Sequence, residues 1–332
     1  SFTGFYVVRM KFFLWGLCLV LTSAAVQAEE SLTAQNLLSF NQATLSGPPR
    51  LPMTEDNATT ELNMPAGALQ LARSHDYLLW AETKAAKLHL LERNDAGALQ
   101  PIKSIPMSIG KEGYGKSQEG DKRTPIGVYR ITSFLSEAQL DDFYGSGAYP
   151  IDYPNALDKR LNRTGHGIWL HGLPQGVDSR PPRDSDGCVV INNTDLDALA
   201  EHIKTGDTYL VISEDFEWQS LATSKQQLQP IKAHFERWLA AWQSLDNDLY
   251  LDYYAQDFSN LEKGKQAWDI YKRRIHKNKR FIDVSISDLS VFTYPGEENL
   301  ITVRYYQSYK SSNYFWQGWK EQLWGLRDGE WK

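Results

Sequence analysis

What the chain lacks narrows it first. Only two cysteines occur in 332 residues, Cys18 and Cys188, so no disulfide framework can hold it together. Positive charge is not in excess: 35 Lys and Arg against 41 Asp and Glu leave a net charge of −6, and the pI is near 5.7. That excludes the basic footprint of a nucleic-acid binder. The seven histidines are scattered without metal-ligand spacing, so neither a metal nor another cofactor is expected. One apolar run, Phe12 to Leu21, is too short to span a bilayer and no second run follows it. The glycines between Gly110 and Gly127 form no phosphate cradle, because no Gly-Lys-Ser/Thr among them opens onto a helix.

With Lys11 before it and Val26-Gln-Ala28 after it, the short run reads as a secretory signal peptide over residues 10–28, cleaved before Glu29. The mature protein is then exported, to the periplasm of a double-membraned bacterium, with no stable membrane insertion. Cys18 leaves with the signal. An unpaired Cys188 in an oxidising compartment needs a reason other than stability, and catalysis supplies one.

With 42% hydrophobic and 23% charged residues, the chain has the composition of a globular protein of about two domains. Residues 29–68 form an N-terminal segment with a short helix at 34–45. Residues 69–214 read as the first domain, 215–229 as a polar linker, and 230–332 as the second domain.

In the first domain, Tyr77–Trp80, Lys87–Leu91, Ile102–Ile109 and Tyr209–Ile212 read as strands, and Thr194 as the cap of a helix running to about Lys204. Many short strands and few helices predict a mainly β unit, a sandwich or half-barrel. Residues Gly165–Leu170 read as another strand, which sets Trp169 and His171 on one face and Ile168 and Leu170 on the other. A thirteen-residue loop rich in Pro, Gly and charge, Gly172–Asp184, connects His171 to Ser185-Asp-Gly-Cys188. A cysteine nucleophile needs a base to take its proton and backbone N–H groups to hold an oxyanion; His171 and the Gly187-Cys188 turn offer both. Taken singly, Cys188 beside Val-Val-Ile is as well read as a buried hydrophobe; the pairing with His171 carries the functional reading.

This His-Gly, loop, Ser-X-Gly-Cys pattern, together with Gly120-Asp-Lys-Arg-Thr-Pro-Ile-Gly127 upstream, resembles the L,D-transpeptidase family. The resemblance implies Cys188 as nucleophile, His171 as base, the Gly172 carbonyl as the group that orients the imidazole, and an oxyanion hole from the N–H groups of Gly187 and Cys188. Ser185, Asp186 and Tyr153 are candidate substrate contacts. Two positions depart from the common pattern: Asp186 stands where many members have His or Thr, and Val190 where many have Arg. The second departure is more like the branch that trims peptidoglycan peptides.

In the second domain, Phe235, Trp238, Leu239, Trp242, Leu245, Leu249 and Tyr253 recur at helical spacing and predict one long amphipathic helix. A second helix is expected over 265–277, with a basic, solvated face from Lys272 to Arg280, and strands at 281–292, 300–309 and 314–326. Helices followed by a curled antiparallel sheet make an α+β unit that resembles the nuclear-transport-factor-2-like domain. Such a domain can take a glycan or protein ligand. The aromatics Tyr305, Tyr306, Tyr309, Tyr314, Trp316, Trp319 and Trp324 divide between that use and a core. The sequence ends at Glu330-Trp-Lys332 within an expected strand, which reads as truncated.

Together the two domains resemble the peptidoglycan L,D-carboxypeptidases that influence cell shape. The implied partners are peptidoglycan stem peptides. The implied reaction is attack on the L-centre carbonyl of diaminopimelate in a tetrapeptide stem, with D-alanine released by hydrolysis or by transfer. Release of wall-linked protein is a third outcome, and a non-catalytic wall-binding scaffold is the rival from a different class.

Overall fold

The computed structural model describes residues 62–332. The expected signal peptide and the helix at 34–45 lie outside the described residues. Before the site come β1 (Asn63–Pro65), β2 (Ala68–Gln70), β3 (Tyr77–Glu82), β4 (Lys87–Arg93), β5 (Leu99–Pro106), β6 (Ile109–Gly110), β7 (Gly127–Arg130), β8 (Leu135–Ser136), β9 (Gly147–Pro150) and α1 (Ala156–Arg160). Around the site lie β10 (Trp169–His171), β11 (Arg183–Ser185), β12 (Val189–Val190), α2 (Asn193–Leu199) and β13 (Tyr209–Ser213). The C-terminal part holds β14 (Trp218–Ser220), α3 (Leu221–Gln243), α4 (Asn247–Leu251), α5 (Lys265–His276), β15 (Ile282–Thr293), β16 (Leu300–Ser311), β17 (Tyr314–Arg327) and β18 (Glu330–Trp331).

The first domain is β-rich, as its alternating apolar pattern dictates. A five-stranded sheet in the order β5-β4-β3-β13-β7 packs against a four-stranded sheet in the order β12-β10-β9-β8. Leu79, Leu88, Leu90, Ile105, Leu170, Val189 and Leu210 fill the space between them. Burial of these side chains is the main force that holds the site-bearing strands in place.

The second domain packs α3, with Trp268 of α5, against one face of the sheet β18-β17-β16-β15-β2. Phe235, Trp238, Trp242, Tyr250, Tyr305, Tyr309 and Trp324 are buried together there, which makes four of these aromatics core on α3 and α4 and three core on the sheet. The other face of this sheet lies against the first domain: Phe292 and Tyr294 pack with Leu78, Trp80, Tyr209 and Val211. A buried ion pair crosses the seam, Asp207 with Arg304 at 3.1 Å, and the His75 ring lies 3.1 Å from the same carboxylate; Arg304 lies 3.9 Å from the Trp319 ring. The two domains therefore share a core; Trp319 covers Arg304 from the outside and, like Tyr314, is exposed.

Several expectations need correction. The expected linker 215–229 is largely ordered: β14 pairs with β1 over Trp218–Ser220, and the helix starts at Leu221, capped by Ser220. Strand β2, at the expected start of the first domain where no strand is predicted, pairs with β15 and so adds to the second domain's sheet. The long helix stops at Gln243, because Leu245 takes φ +64° and Asp246 caps a new helix, leaving Leu249 exposed. Residues 165–168 are not strand, since Gly165 and Gly167 adopt positive φ. Asn192, not Thr194, caps α2, accepting from the Asp195 N–H at 2.8 Å. Lys272 is buried rather than solvated, its ammonium 4.6 Å from the Trp268 ring and 4.9 Å from the Trp242 ring.

Candidate active site

Two short parallel strands place the reactive pair. β10 and β12 pair Leu170 with Val189 and His171 with Val190, a register that sets Cys188 beside Trp169. Leu170, Val189 and Ile191 point into the core. Trp169, His171 and Cys188 therefore share the opposite face.

His171 is buried, and its Nδ1 lies 2.7 Å from the Gly172 carbonyl oxygen. A carbonyl can only accept, so Nδ1 carries the proton and Nε2 is left as the acceptor. Burial is the largest influence on the ring and pulls its pKa down to about 4, against the Gly172 hydrogen bond, which raises it. The imidazole is neutral at physiological pH. Aromatic rings wall it in: Tyr144 meets it edge-on at 5.0 Å and Phe143 lies 6.0 Å away.

Cys188 is free and partly exposed, with Sγ 3.4 Å from the Gly167 carbonyl oxygen. Desolvation pushes its thiol up to about 11, opposed by a hydrogen bond from the Trp169 backbone and reinforced by the Asp186 carboxylate. The resting pair is thus a neutral thiol and a neutral imidazole. The residue is partly exposed although the thiol itself is strongly desolvated.

The turn that presents the cysteine is stapled from within. Ser185 Oγ donates to the Cys188 carbonyl oxygen at 2.7 Å and accepts from the Gly187 N–H at 3.1 Å. Ser185 is buried, a place that makes it part of the turn rather than a substrate contact, and the Gly187 N–H is engaged in the resting site. Gly187 has φ +128°, and a Cβ there would meet the Arg123 carbonyl oxygen at 2.8 Å, so only glycine fits. Asp186 points outward to Lys111, 3.3 Å away, with 74% of its side chain exposed. Tyr153 lies in the core, its hydroxyl donating to the Thr164 carbonyl oxygen at 2.9 Å.

The upstream run proves to be scaffolding for that turn. Thr124, fully buried, accepts from the Gly110 N–H and donates to the Gly187 carbonyl oxygen, both at 2.9 Å. Asp121 collects the N–H groups of Ser117, Gln118 and Arg123 and the Lys116 ammonium, which hold its carboxyl at about 2 against the opposing effect of burial.

Sequence reasoning saw Asn193 only as helix. Its Oδ1 accepts from the N–H groups of Ser146 at 3.0 Å and Leu173 at 3.1 Å, and its Nδ2 donates to the Leu173 carbonyl at 2.8 Å. It clamps the segment that carries Gly172 to the segment that carries Tyr144. A Cβ on Gly172 would sit 2.0 Å from Asn193 Oδ1, so the glycine is required by this clamp. An Asn five residues after the cysteine was the available signal.

Residues 76–212 match the model of the L,D-transpeptidase catalytic domain, and residues 230–332 match that of the Cds6 C-terminal NTF2-like domain. The chain thus carries an L,D-transpeptidase catalytic domain followed by a nuclear-transport-factor-2-like domain. Among solved structures, Bd1075 of Bdellovibrio bacteriovorus is 28% identical with a TM-score of 0.70, over 81% of this chain and 95% of that one. The helical cell shape determining protein Pgp2 from Campylobacter jejuni is 24% identical with a TM-score of 0.66, over 80% and 93%. No curated protein matches the chain.

The catalytic-domain match supports an enzyme of L,D-transpeptidase type acting on peptidoglycan. Among the described residues, no helix is long and apolar enough to cross a membrane.

Proposed function

We propose that the protein is a periplasmic peptidoglycan L,D-carboxypeptidase that uses Cys188 as its nucleophile. The observation that carries this reading is the His171–Gly172 hydrogen bond, which leaves Nε2 as a proton acceptor on the face that also bears Cys188.

In the proposed reaction the substrate is a tetrapeptide stem ending in diaminopimelate and D-alanine. Sγ bonds to the carbonyl carbon of the L-centre of diaminopimelate while the thiol proton passes to His171 Nε2. A neutral pair suits this order of events, since no thiolate needs to pre-exist. The Cys188 N–H holds the oxyanion, joined by the Gly187 N–H once the substrate oxygen displaces Ser185 Oγ from it. Collapse breaks the C–N bond, the imidazolium proton moves to the D-alanine nitrogen, and a thioester remains. Water, deprotonated by His171, then releases a tripeptide and restores the thiol.

Hydrolysis is favoured over transfer by Val190, which is buried where many relatives place an arginine. A role in cell shape is part of the same proposal, because Pgp2, a helical cell shape determining protein, shares the two-domain fold. Incubation with a diaminopimelate-type disaccharide tetrapeptide and mass analysis tests it. Loss of D-alanine alone supports the reading, whereas a crosslinked dimer replaces hydrolysis with transfer.

A further inference from the structure

Arg180 stands within the loop between His171 and Cys188, and its donors are only partly used. Its Nε faces Asp184 Oδ2 at 3.3 Å with only 14% of the side chain exposed, and its guanidinium lies 5.3 Å from the Phe143 ring. Nη1 is buried and has no hydrogen-bond partner among the described residues. A buried cationic N–H without an acceptor is unfavourable, and it gains most from an oxyanion brought by a ligand.

The position of that donor bears on the reaction. Phe143, which the guanidinium covers, lies 6.0 Å from the His171 ring. The positive charge of Arg180 is felt at both His171 and Cys188. The other cation felt at Cys188 is Lys116, and its ammonium is already held by Asp121 and by the Gln118 carbonyl.

We propose that Arg180 receives the terminal carboxylate of the stem's D-alanine and so determines specificity for a free C-terminus. This assignment rests on the function proposed above. In D-alanine the carboxylate carbon is two bonds from the nitrogen that His171 protonates, so the anion comes to rest near His171, and the neighbouring Phe143 ring carries Arg180 on its face. The carboxylate at the D-centre of diaminopimelate belongs to the same chemical class but lies at the far end of a long side chain. A single charge-assisted hydrogen bond of this kind is a contact to the leaving group, and it is broken only when D-alanine departs.

The test compares wild type, Arg180→Gln and Arg180→Lys on three disaccharide tetrapeptides: the free acid, the D-alaninamide, and the form amidated on the diaminopimelate side chain. For wild type, kcat/KM is expected to fall roughly ten- to hundredfold from the free acid to the D-alaninamide and little for the third substrate. In Arg180→Gln the ratio of acid to D-alaninamide collapses toward one, mainly through KM, and Arg180→Lys restores part of it. A merely structural role lowers both substrates together and keeps the ratio. An unchanged ratio in Arg180→Gln overturns the assignment, as does a loss of discrimination confined to the diaminopimelate-amidated substrate. If Arg180→Gln does not fold, the wild-type ratio and Arg180→Lys decide. Wild-type turnover with an unchanged ratio removes only this assignment; no wild-type turnover removes the proposed function as well.

Discussion

His171 Nδ1 lies 2.7 Å from the carbonyl oxygen of its own neighbour, Gly172. That contact fixes the tautomer without any acidic side chain, and burial holds the imidazole pKa at about 4. Because the proposed base is the neutral ring, activity should be lost only as pH falls through about 4, well below the ordinary histidine range. The acid limb of a kcat/KM profile checks this, and a limb near 6.5 would count against it. His171→Gln should lower kcat by about 10²–10⁴.

Cys188 behaves oppositely at the alkaline end. With its thiol pushed up to about 11 by desolvation, the free enzyme carries little thiolate at neutral pH. The rate of iodoacetamide labelling should be slow at pH 7 and climb steadily toward pH 11. A plateau beginning near neutrality would mean that the resting site holds a preformed thiolate instead.

Two small changes outside the reactive pair should cripple the site. Thr124→Val removes the only hydroxyl that joins the Gly110 N–H to the Gly187 carbonyl and leaves both buried groups unpaired. A cost of about 1–3 kcal/mol is expected, with a lower kcat. Gly172→Ala drives a methyl to 2.0 Å from Asn193 Oδ1, and should cost more than this or prevent folding. Thermal melts, read beside turnover, separate the two effects; a Gly172→Ala protein of wild-type stability would show that the clamp yields.

Lys272 offers a test of stability apart from chemistry. Its ammonium sits among Trp242, Tyr250 and Trp268, and desolvation lowers its pKa to about 7. Between pH 7 and the unfolded value near 10.4 the unfolded chain binds more protons, so stability from this group rises with pH across that window and is lost as pH falls through it. Lys272→Met should flatten that dependence and stabilise the protein by about 1–4 kcal/mol near neutral pH. Denaturant melts from pH 6 to 10 measure both, and a strong destabilisation would show that the ring contacts outweigh desolvation.

Much of this was legible in the chain. The 3.6-residue spacing of Phe235, Trp238, Leu239 and Trp242 marks a buried helix face, and the alternation in Lys87–Leu91 marks a strand, because local periodicity follows directly from side-chain geometry. The His171 and Cys188 pairing was visible as residue types on either side of a loop. What was hidden depended on distant contacts. Nothing local says that β2 pairs with β15 across more than 200 residues, or that Asn193 clamps Leu173 to Ser146. Tyr153 illustrates the same limit: an aromatic beside a loop reads as surface or core alike until its hydroxyl finds Thr164. Lys272 read as solvated because charge implies water, and only the packed tryptophans override that.

The most direct measurement is the product pattern from a diaminopimelate-type disaccharide tetrapeptide incubated with the protein and, separately, with Cys188→Ala. The prediction is loss of a single D-alanine with the wild type and an unchanged substrate with the variant. D-alanine release that survives in Cys188→Ala, or its absence from both, would contradict the assignment of Cys188 as the nucleophile of a peptide-trimming enzyme.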